Sequence, residues 1–311
     1  MQSSHAAVAV DVAFDDANLV IDAGLVPVLA LAEQVGLPDL VADRLVIEGA
    51  ANSAGANPAA KVMSLLAGMV AGADSIEDLD RLRHTGTGLL FDGVRAPSTL
   101  GSFLRAFTHG HVQQLNAICR QTLIALAGRV PGLLPGAQVV FVDVDSTHRR
   151  VYGYAKQGAA VGRLKGKKTL HLLIAIMSTP ISRPVVAGVR LRKGKSADVR
   201  GAARFLAEVL ATVRQVAPTA TVVVRADSKF YTADVVATAA RYDAFVSLTT
   251  GSNPSVNAAI TTIPRRRGHR ATIRKRSPTP RPVNWSPTPR SPNSTTRRSP
   301  PGRRTSRSPA G

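Results

Sequence analysis

One cysteine, few aromatics and no acidic residue anywhere in positions 250–311 are the shortages that first narrow this 311-residue chain. The single Cys119 excludes an intramolecular disulfide framework and a cysteine-rich zinc site, and reads as a small core residue in a reducing compartment. With aromatics at 4% against 44% apolar residues, the core has to be built from Ala, Val and Leu. No apolar run reaches the roughly 18–20 residues that a membrane span needs. Residues 1–19 carry acids rather than a basic stretch ahead of an apolar one. The expectation is a soluble intracellular protein.

What the chain has in excess is positive charge, unevenly spread. Of its 40 Lys and Arg, 14 lie in residues 265–311, so the tail accounts for +14 of the net +20 and residues 1–264 for +6. A body charge of that size suits a nucleic-acid partner, because cations on phosphates release counterions, though many soluble proteins carry as much.

Texture divides the chain into three regions, and no repeat of solenoid length occurs. Over residues 22–130 the pattern is helical. Val28, Leu31 and Val35 recur at helix spacing, residues 61–70 form a small-residue helix, and residues 75–82 another that opens on a Ser75 hydroxyl cap with Glu77, Asp78 and Asp80 behind it. Ala96-Pro97-Ser98-Thr99-Leu100-Gly101 reads as a turn and cap leading into a helix over about 103–126. Residues 15–132 are therefore expected to be an all-helical domain behind a flexible 1–14.

From Gln138 the period changes. Residues 139–144, 169–177 and 184–191 read as strands, 197–216 as an amphipathic helix with Val199, Ala203, Leu206 and Leu210 on one face, then 221–224 as a strand, 232–241 as a helix and 245–249 as a strand. Three strands able to pair as a meander, followed by α/β alternation, give the order βββαβαβ. That predicts an α/β fold with a ribonuclease H-like mixed sheet over residues 135–264 rather than a doubly wound one. Beyond Pro264 the Ser-Pro, Thr-Pro and Arg-Arg pairs, with nine prolines in 47 residues, cannot build a core, and residues 265–311 are expected to be disordered.

Two strand ends carry acids. In Phe141-Val142-Asp143-Val144-Asp145-Ser146-Thr147 the strand alternation puts Asp143 and Asp145 on one face and Val142 and Val144 on the other. Val222-Val223-Val224-Arg225-Ala226-Asp227-Ser228 is again an aliphatic strand closed by an acid. If the two strands are adjacent and parallel, their acids meet at one edge, an arrangement that a divalent cation makes tolerable. Two Mg²⁺ ions, held by oxygen ligands, are suited to activating a hydroxyl and stabilising a leaving oxygen at a phosphodiester. The competing reading has Asp143 capping or salt-bridging a neighbour and Asp227 opening the turn towards Thr232.

The blocks Asp145-Ser146-Thr147, Gly153, Lys165-Gly166-Lys167-Lys168, Lys193-Gly194 and Arg225-Ala226-Asp227-Ser228-Lys229-Phe230-Tyr231 resemble the core of the insertion-sequence-1380 family of transposases. That family is a branch of the DDE transposases. In front, Ala73-Asp74-Ser75-Ile76-Glu77-Asp78-Leu79 and Ala96-Pro97-Ser98-Thr99-Leu100-Gly101 with Phe103-Leu104-Arg105 agree, so the resemblance covers roughly residues 15–264. It implies that Asp145 and Asp227 are the first two catalytic, metal-holding carboxylates, with two Mg²⁺ ions in an intact relative, and that Asp143 is a supporting acid. It also implies double-stranded DNA as partner, at terminal inverted repeats and target, a homo-oligomer on DNA, and a place at the nucleoid in the bacterial cytosol.

Arg163, Lys165, Lys167 and Lys168, just after the first acid, are candidate phosphate contacts, with a solvated loop as the alternative. Arg190, Arg192, Lys193 and Lys195 read as a solvated group, and neither His148 nor His171 as a ligand. A non-catalytic DNA-binding regulator of the same element and a metal-dependent nuclease of the same fold are the rival functions.

The family pattern breaks at its third acid, a Glu on a later helix, because residues 250–311 hold no acid. A GC-rich gene read out of register yields Arg, Pro, Ser and Thr in alternation, as seen here. Shifted reading of residues 277–293, with codons chosen to suit, gives an acidic stretch like the family's insertion region, and Trp285, fixed as TGG, fits it. The tail is thus expected to be a frameshift product, an evolved basic DNA-binding tail being the alternative. The nucleotide sequence around the Pro264 codon tests this: a second frame continuing the family pattern is the expected result, and its absence refutes the idea.

Overall fold

The computed structural model describes residues 20–262 apart from 50–52, 85–90, 92, 131, 135, 137, 153–155, 163, 165 and 252–253. The expectations for residues 1–14 and 265–311, including the tail's disorder and reading frame, lie outside the described residues, as do Arg163 and Lys165. The described residues fall into two units, divided between residues 252 and 253.

The first unit opens with helices α1 (Leu25–Gln34), α2 (Leu37–Arg44), α3 (Pro58–Val70), α4 (Arg81–His84, entered through a 3₁₀ turn at Glu77–Asp80), α5 (Pro97–Arg105) and α6 (His109–Arg129). Proline stands in the first turn of α2, α3 and α5, where a missing N–H costs nothing. The helix expected over 103–126 is two helices. Its break falls at Thr108, whose hydroxyl and backbone N–H form a reciprocal cap with His111, the N–H donating to Nδ1 at 2.9 Å. On α1 the buried face is Leu25, Leu29 and Ala32, continued by Val35 just past its end; of the expected stripe Val35 is buried, whereas Val28 and Leu31 are exposed. Cys119, expected in the core, is exposed on α6.

Two small apolar clusters hold these helices, one around Val41, Leu45, Phe103 and Ile118, the other around Leu25, Leu29, Ala67 and Leu82. Between them lies a charge. Lys61 on α3 is 4% exposed, and its ammonium donates to the carbonyls of Ser53, Ala54 and Ala56 while lying 5.5 Å from the Phe103 ring centroid. Burial first, and the Arg95 guanidinium second, lower its pKa below the ordinary lysine value. The ammonium closes the 53–56 turn onto α3 by satisfying oxygens that helix and sheet leave unpaired.

The second half is a mixed sheet of β1 (Val139–Arg150), β2 (Ala160–Val161), β3 (Lys168–Ser178), β4 (Val185–Lys193), β5 (Thr221–Ala226) and β6 (Ala244–Leu248), with α7 (Ala202–Val216) before β5 and α8 (Ala233–Arg241) before β6. Its order is β2-β3-β1-β5-β6, with β4 also on β3. β1, β3 and β4 pair antiparallel; β5 lies parallel to β1, and β6 parallel to β5. β1 runs six residues past the expected end at Val144, and the two-residue β2 had no signal of its own.

Strand alternation sends Val140, Val142, Val144, Leu173, Ala175, Met177, Val222 and Val224 into one core, covered by Phe205, Leu206, Val209, Leu210 and Val213 of α7. Val199, expected on that helix face, is exposed in the loop ahead of α7. At Gly188 on β4 an added Cβ would lie 3.1 Å from Val209 and 3.2 Å from Phe205, so the missing side chain lets α7 sit close. The helical region meets the sheet through α6, which packs on β4 and α7. In the second unit the described element is α9 (Pro254–Thr262).

Replacing Lys61 with Met keeps the aliphatic volume but strands the Ala54 and Ala56 carbonyls, while the Ser53 carbonyl keeps the Ala56 N–H. The expected loss is about 2–3 kcal/mol, from hydrogen bonds to a charged group and the cost of leaving acceptors unpaired. Urea unfolding measures it; a change below about 0.5 kcal/mol would mean that water replaces the ammonium.

Candidate functional site

The parallel ladder between β1 and β5 decides where the acids go. Val139–Val144 pair with Thr221–Ala226 in order, and the last pair is Val144 with Ala226. The next residue on each strand is an aspartate, Asp145 and Asp227, on neighbours spaced about 4.8 Å apart. The structure thus brings the two predicted carboxylates to one sheet edge, at the C-terminal end of β5 and alongside it on β1. Asp145 is exposed, and its Oδ1 accepts the Ser146 N–H at 2.6 Å. Asp227 leaves the ladder: its Oδ1 accepts the Lys229 N–H at 3.0 Å and caps the 3₁₀ turn Ser228–Phe230, whose Phe230 is buried in the core. Its Oδ2 lies 3.6 Å from the Lys229 ammonium.

Asp143 is differently engaged. It stands opposite Arg225 in the same ladder, and the guanidinium grips it with two bonds, Nε to Oδ1 and Nη2 to Oδ2, both 2.6 Å. The Phe141 ring lies beneath, 4.4 Å from the guanidinium carbon. The bond to Asp143 raises the Arg225 pKa above its ordinary value. Each half of the competing sequence reading describes a real contact: Asp143 does bridge a neighbour, and Asp227 does open a turn. For Asp227 this leaves the second carboxylate oxygen facing a cation; for Asp143 both oxygens are taken.

Asp198 escaped the sequence reading. It lies in the loop between β4 and α7, is 4% exposed, and its Oδ1 accepts the Ser146 hydroxyl at 2.6 Å. The same oxygen is 3.3 Å from Nε2 of His171, and Oδ2 is 4.0 Å from the Lys229 ammonium. One buried acid therefore touches the residue after Asp145 and the residue two after Asp227. Nor are His148 and His171 isolated. They face each other across β1 and β3 and stack at 4.0 Å, with His171 Nδ1 donating to the Ser196 carbonyl at 2.9 Å. Burial is the main cause that lowers the His171 pKa, with the Arg192 and His148 charges adding to it. A signal was available: in the alternation of residues 169–177 a histidine occupies an inward position, which calls for a polar partner.

Of the basic group after the first acid, Lys167 is exposed and Lys168 begins β3. Asp145 pairs with Ile174, six residues further along β3, so Lys168 lies about 20 Å away along the strand. The carboxylate oxygens of Asp145 and Asp227 are the donor type a hard divalent cation takes, and a magnesium ion keeps waters at its other positions. Two acids fit such an ion as part of its shell. No cluster of three His, Cys, Asp or Glu placed to hold a metal occurs among the described residues.

A family model described as transposase DDE domain group 1 matches residues 2–287. No curated protein matches the chain. Among solved structures, the Mos1 transposase paired-end complex with left transposon end is similar at 11% identity and a TM-score of 0.25, over 64% of this chain and 63% of that one. The Mos1 strand transfer complex gives 11%, 0.24, 65% and 63%. The chain spans about 63% of the Mos1 chain's length in each.

If Asp198 ties the two strand ends together, Asp198→Ala lowers stability by about 1–3 kcal/mol, and Asp198→Asn, which keeps an acceptor for Ser146, recovers part of the loss. Chemical unfolding of both variants measures this. Equal stability of all three proteins would show the cluster contributes nothing.

Proposed function

The chain belongs to the transposase DDE domain family, group 1, and we propose that it derives from an insertion-sequence transposase of the insertion-sequence-1380 branch, with a ribonuclease H-like core over residues 135–264. The observation that carries this reading is the β1–β5 register, which makes Asp145 and Asp227 neighbours at one sheet edge. DDE transposases use divalent metals. Here Asp145 and Asp227 would hold the ion, expected to be Mg²⁺, and Asp143, committed to Arg225, would support the edge rather than ligate. When bound, such ions activate the attacking hydroxyl and offset charge at the phosphodiester.

The chain's own residues set up the edge. Ser146 and Lys229 N–H groups orient one oxygen of each aspartate, and Asp198 behind them holds the Ser146 hydroxyl. The Lys229 ammonium supplies positive charge beside Asp227. Residues 15–132 serve DNA binding and assembly, and the working form is a homo-oligomer on terminal inverted repeats at the nucleoid.

Strand cleavage and transfer belong, in this reading, to an intact relative. The last acid in the sequence is Asp243, so nothing in residues 244–311 supplies a third carboxylate. The chain therefore binds DNA and a divalent ion without joining strands, and the tail is read as frameshifted. The same lack of an acid favours a second reading, a non-catalytic regulator occupying the element's ends.

Titration with Mn²⁺, followed by calorimetry or by electron paramagnetic resonance, separates these. The first reading expects one weak site, weakened tenfold or more by Asp145→Asn or Asp227→Asn and unchanged by Asp143→Asn, with DNA affinity intact in all three. Mn²⁺ binding that ignores Asp145 and Asp227 would leave the regulator. Strand transfer by the purified chain would sink the claim of inactivity.

A further inference from the structure

We propose that the cleft between α6, β4 and the loop leading to α7 is a second contact surface for the phosphate backbone of duplex DNA, one that Asp145 and Asp227 do not line. The proposal rests on the DNA-binding reading above and adds a place where the duplex lies.

The cleft, of ≈ 580 Å³, is lined by Arg120, Arg190, Arg192, Lys193, Arg200 and Arg204 against one carboxylate, Glu208, a net +5. The six cations are not equivalent. Arg190 bonds Glu208 and lies 5.5 Å from the Phe205 ring centroid; Arg204 and Arg120 approach the same carboxylate at 3.4 and 3.6 Å. Three guanidinium groups on one carboxylate leave two charges uncompensated. Arg192 spends its Nη1 on the carbonyls of Ala197, Asp198 and Arg200 at 3.0, 2.8 and 2.8 Å, which shapes the loop without cancelling the charge. Lys193 and Arg200 are exposed and pair with no carboxylate among the described residues, and the Arg204 side chain is 84% exposed.

This pattern fits a long polyanion better than a small one. A compact anion is held by enclosed donors, whereas here Lys193, Arg200 and Arg204 stand open along a cleft that runs from the end of β4 to the first turn of α7. A concave surface of one sign focuses its field outward, and guanidinium forks match phosphate oxygens. The loop also links this surface to the acids, since Ser196 and Arg200 line the cleft while Asp198 between them reaches Ser146 and Lys229. One loop thus contributes both to the cleft and to the support of the carboxylate edge. Taken from sequence, the 190–195 group seemed an ordinary solvated run; folding commits Arg190 and Arg192 to the protein and recruits Arg120, Arg200 and Arg204 from other elements.

The test uses the full chain, a fluorescent 20-base-pair duplex of arbitrary sequence and anisotropy at several salt concentrations. The Lys193→Ala, Arg200→Ala, Arg204→Ala triple variant is expected to bind at least tenfold more weakly, with the slope of log affinity against log salt reduced by about 2–3, near 0.9 per lost phosphate contact. Glu208→Gln, which removes the one acid, is expected to tighten binding. An equal-charge control, Arg149→Ala, Arg183→Ala, Arg241→Ala, alters three exposed arginines outside both residues 15–132 and the cleft, and is expected to lose less than threefold. Circular dichroism checks that each variant is folded. Equal losses in the two triple variants, or wild-type affinity in the first, overturn the cleft while leaving DNA binding standing. Absence of binding by the wild-type chain overturns the DNA reading itself, and the cleft with it.

Discussion

The register between β1 and β5 governs what this molecule presents to its surroundings. It is set by burial and not by the acids themselves. Val140, Val142 and Val144 on one strand and Val222 and Val224 on the other are all at most 6% exposed. A slip of one residue would turn a strand's set to the opposite face. Each valine turned out would forfeit on the order of 1.5 kcal/mol or more. The aliphatic positions therefore hold Asp145 and Asp227 at neighbouring strand positions, and two like charges are kept together by hydrophobic packing a few ångströms away.

Asp198 shows how such an edge is steadied. A carboxylate removed from water is costly unless it is bonded, and this one is met by the Ser146 hydroxyl, the His171 ring and, more distantly, the Lys229 ammonium. Those partners come from β1, β3 and the turn after β5. A single buried group thus senses three elements, and in a low-dielectric setting each contact strengthens the demand for the others. The Asp143–Arg225 pair, on the opposite face of β1 from Ser146, is of another kind: half-exposed, cross-strand and local, it screens one face of the edge at little cost or gain.

Much of this was legible in the chain itself, for reasons that can be named. Aliphatic runs closed by an acid at 139–145 and 222–227 give the two strands and the neighbouring positions of Asp145 and Asp227, because alternation and termination are local properties. The helical texture of residues 22–130 is local too, yet its details were not. The break at Thr108 depends on a cap supplied by His111, an uncommon residue for that role, and the buried face of α1 is chosen by partners on α3 and α4 rather than by its own spacing. Asp198, the His148–His171 stack and the charged cleft are assembled from distant segments, so no window of sequence displays them. The lysines of residues 165–168 illustrate the converse: neighbours of Asp145 in sequence, Lys167 and Lys168 are carried away from it by the β1–β3 hairpin.

The loop between β4 and α7 has a further implication. At Gly194 a Cβ would sit 2.1 Å from the Thr169 carbonyl oxygen, Arg192 gathers three carbonyls of the loop, and Asp198 plugs into the sheet edge. Surface loops ordinarily absorb insertions and deletions. This one is fastened at its start, middle and end, so its length is as constrained as that of a strand. A residue added or removed between Gly194 and Ala202 would pull at least one of these fastenings out of register with the sheet.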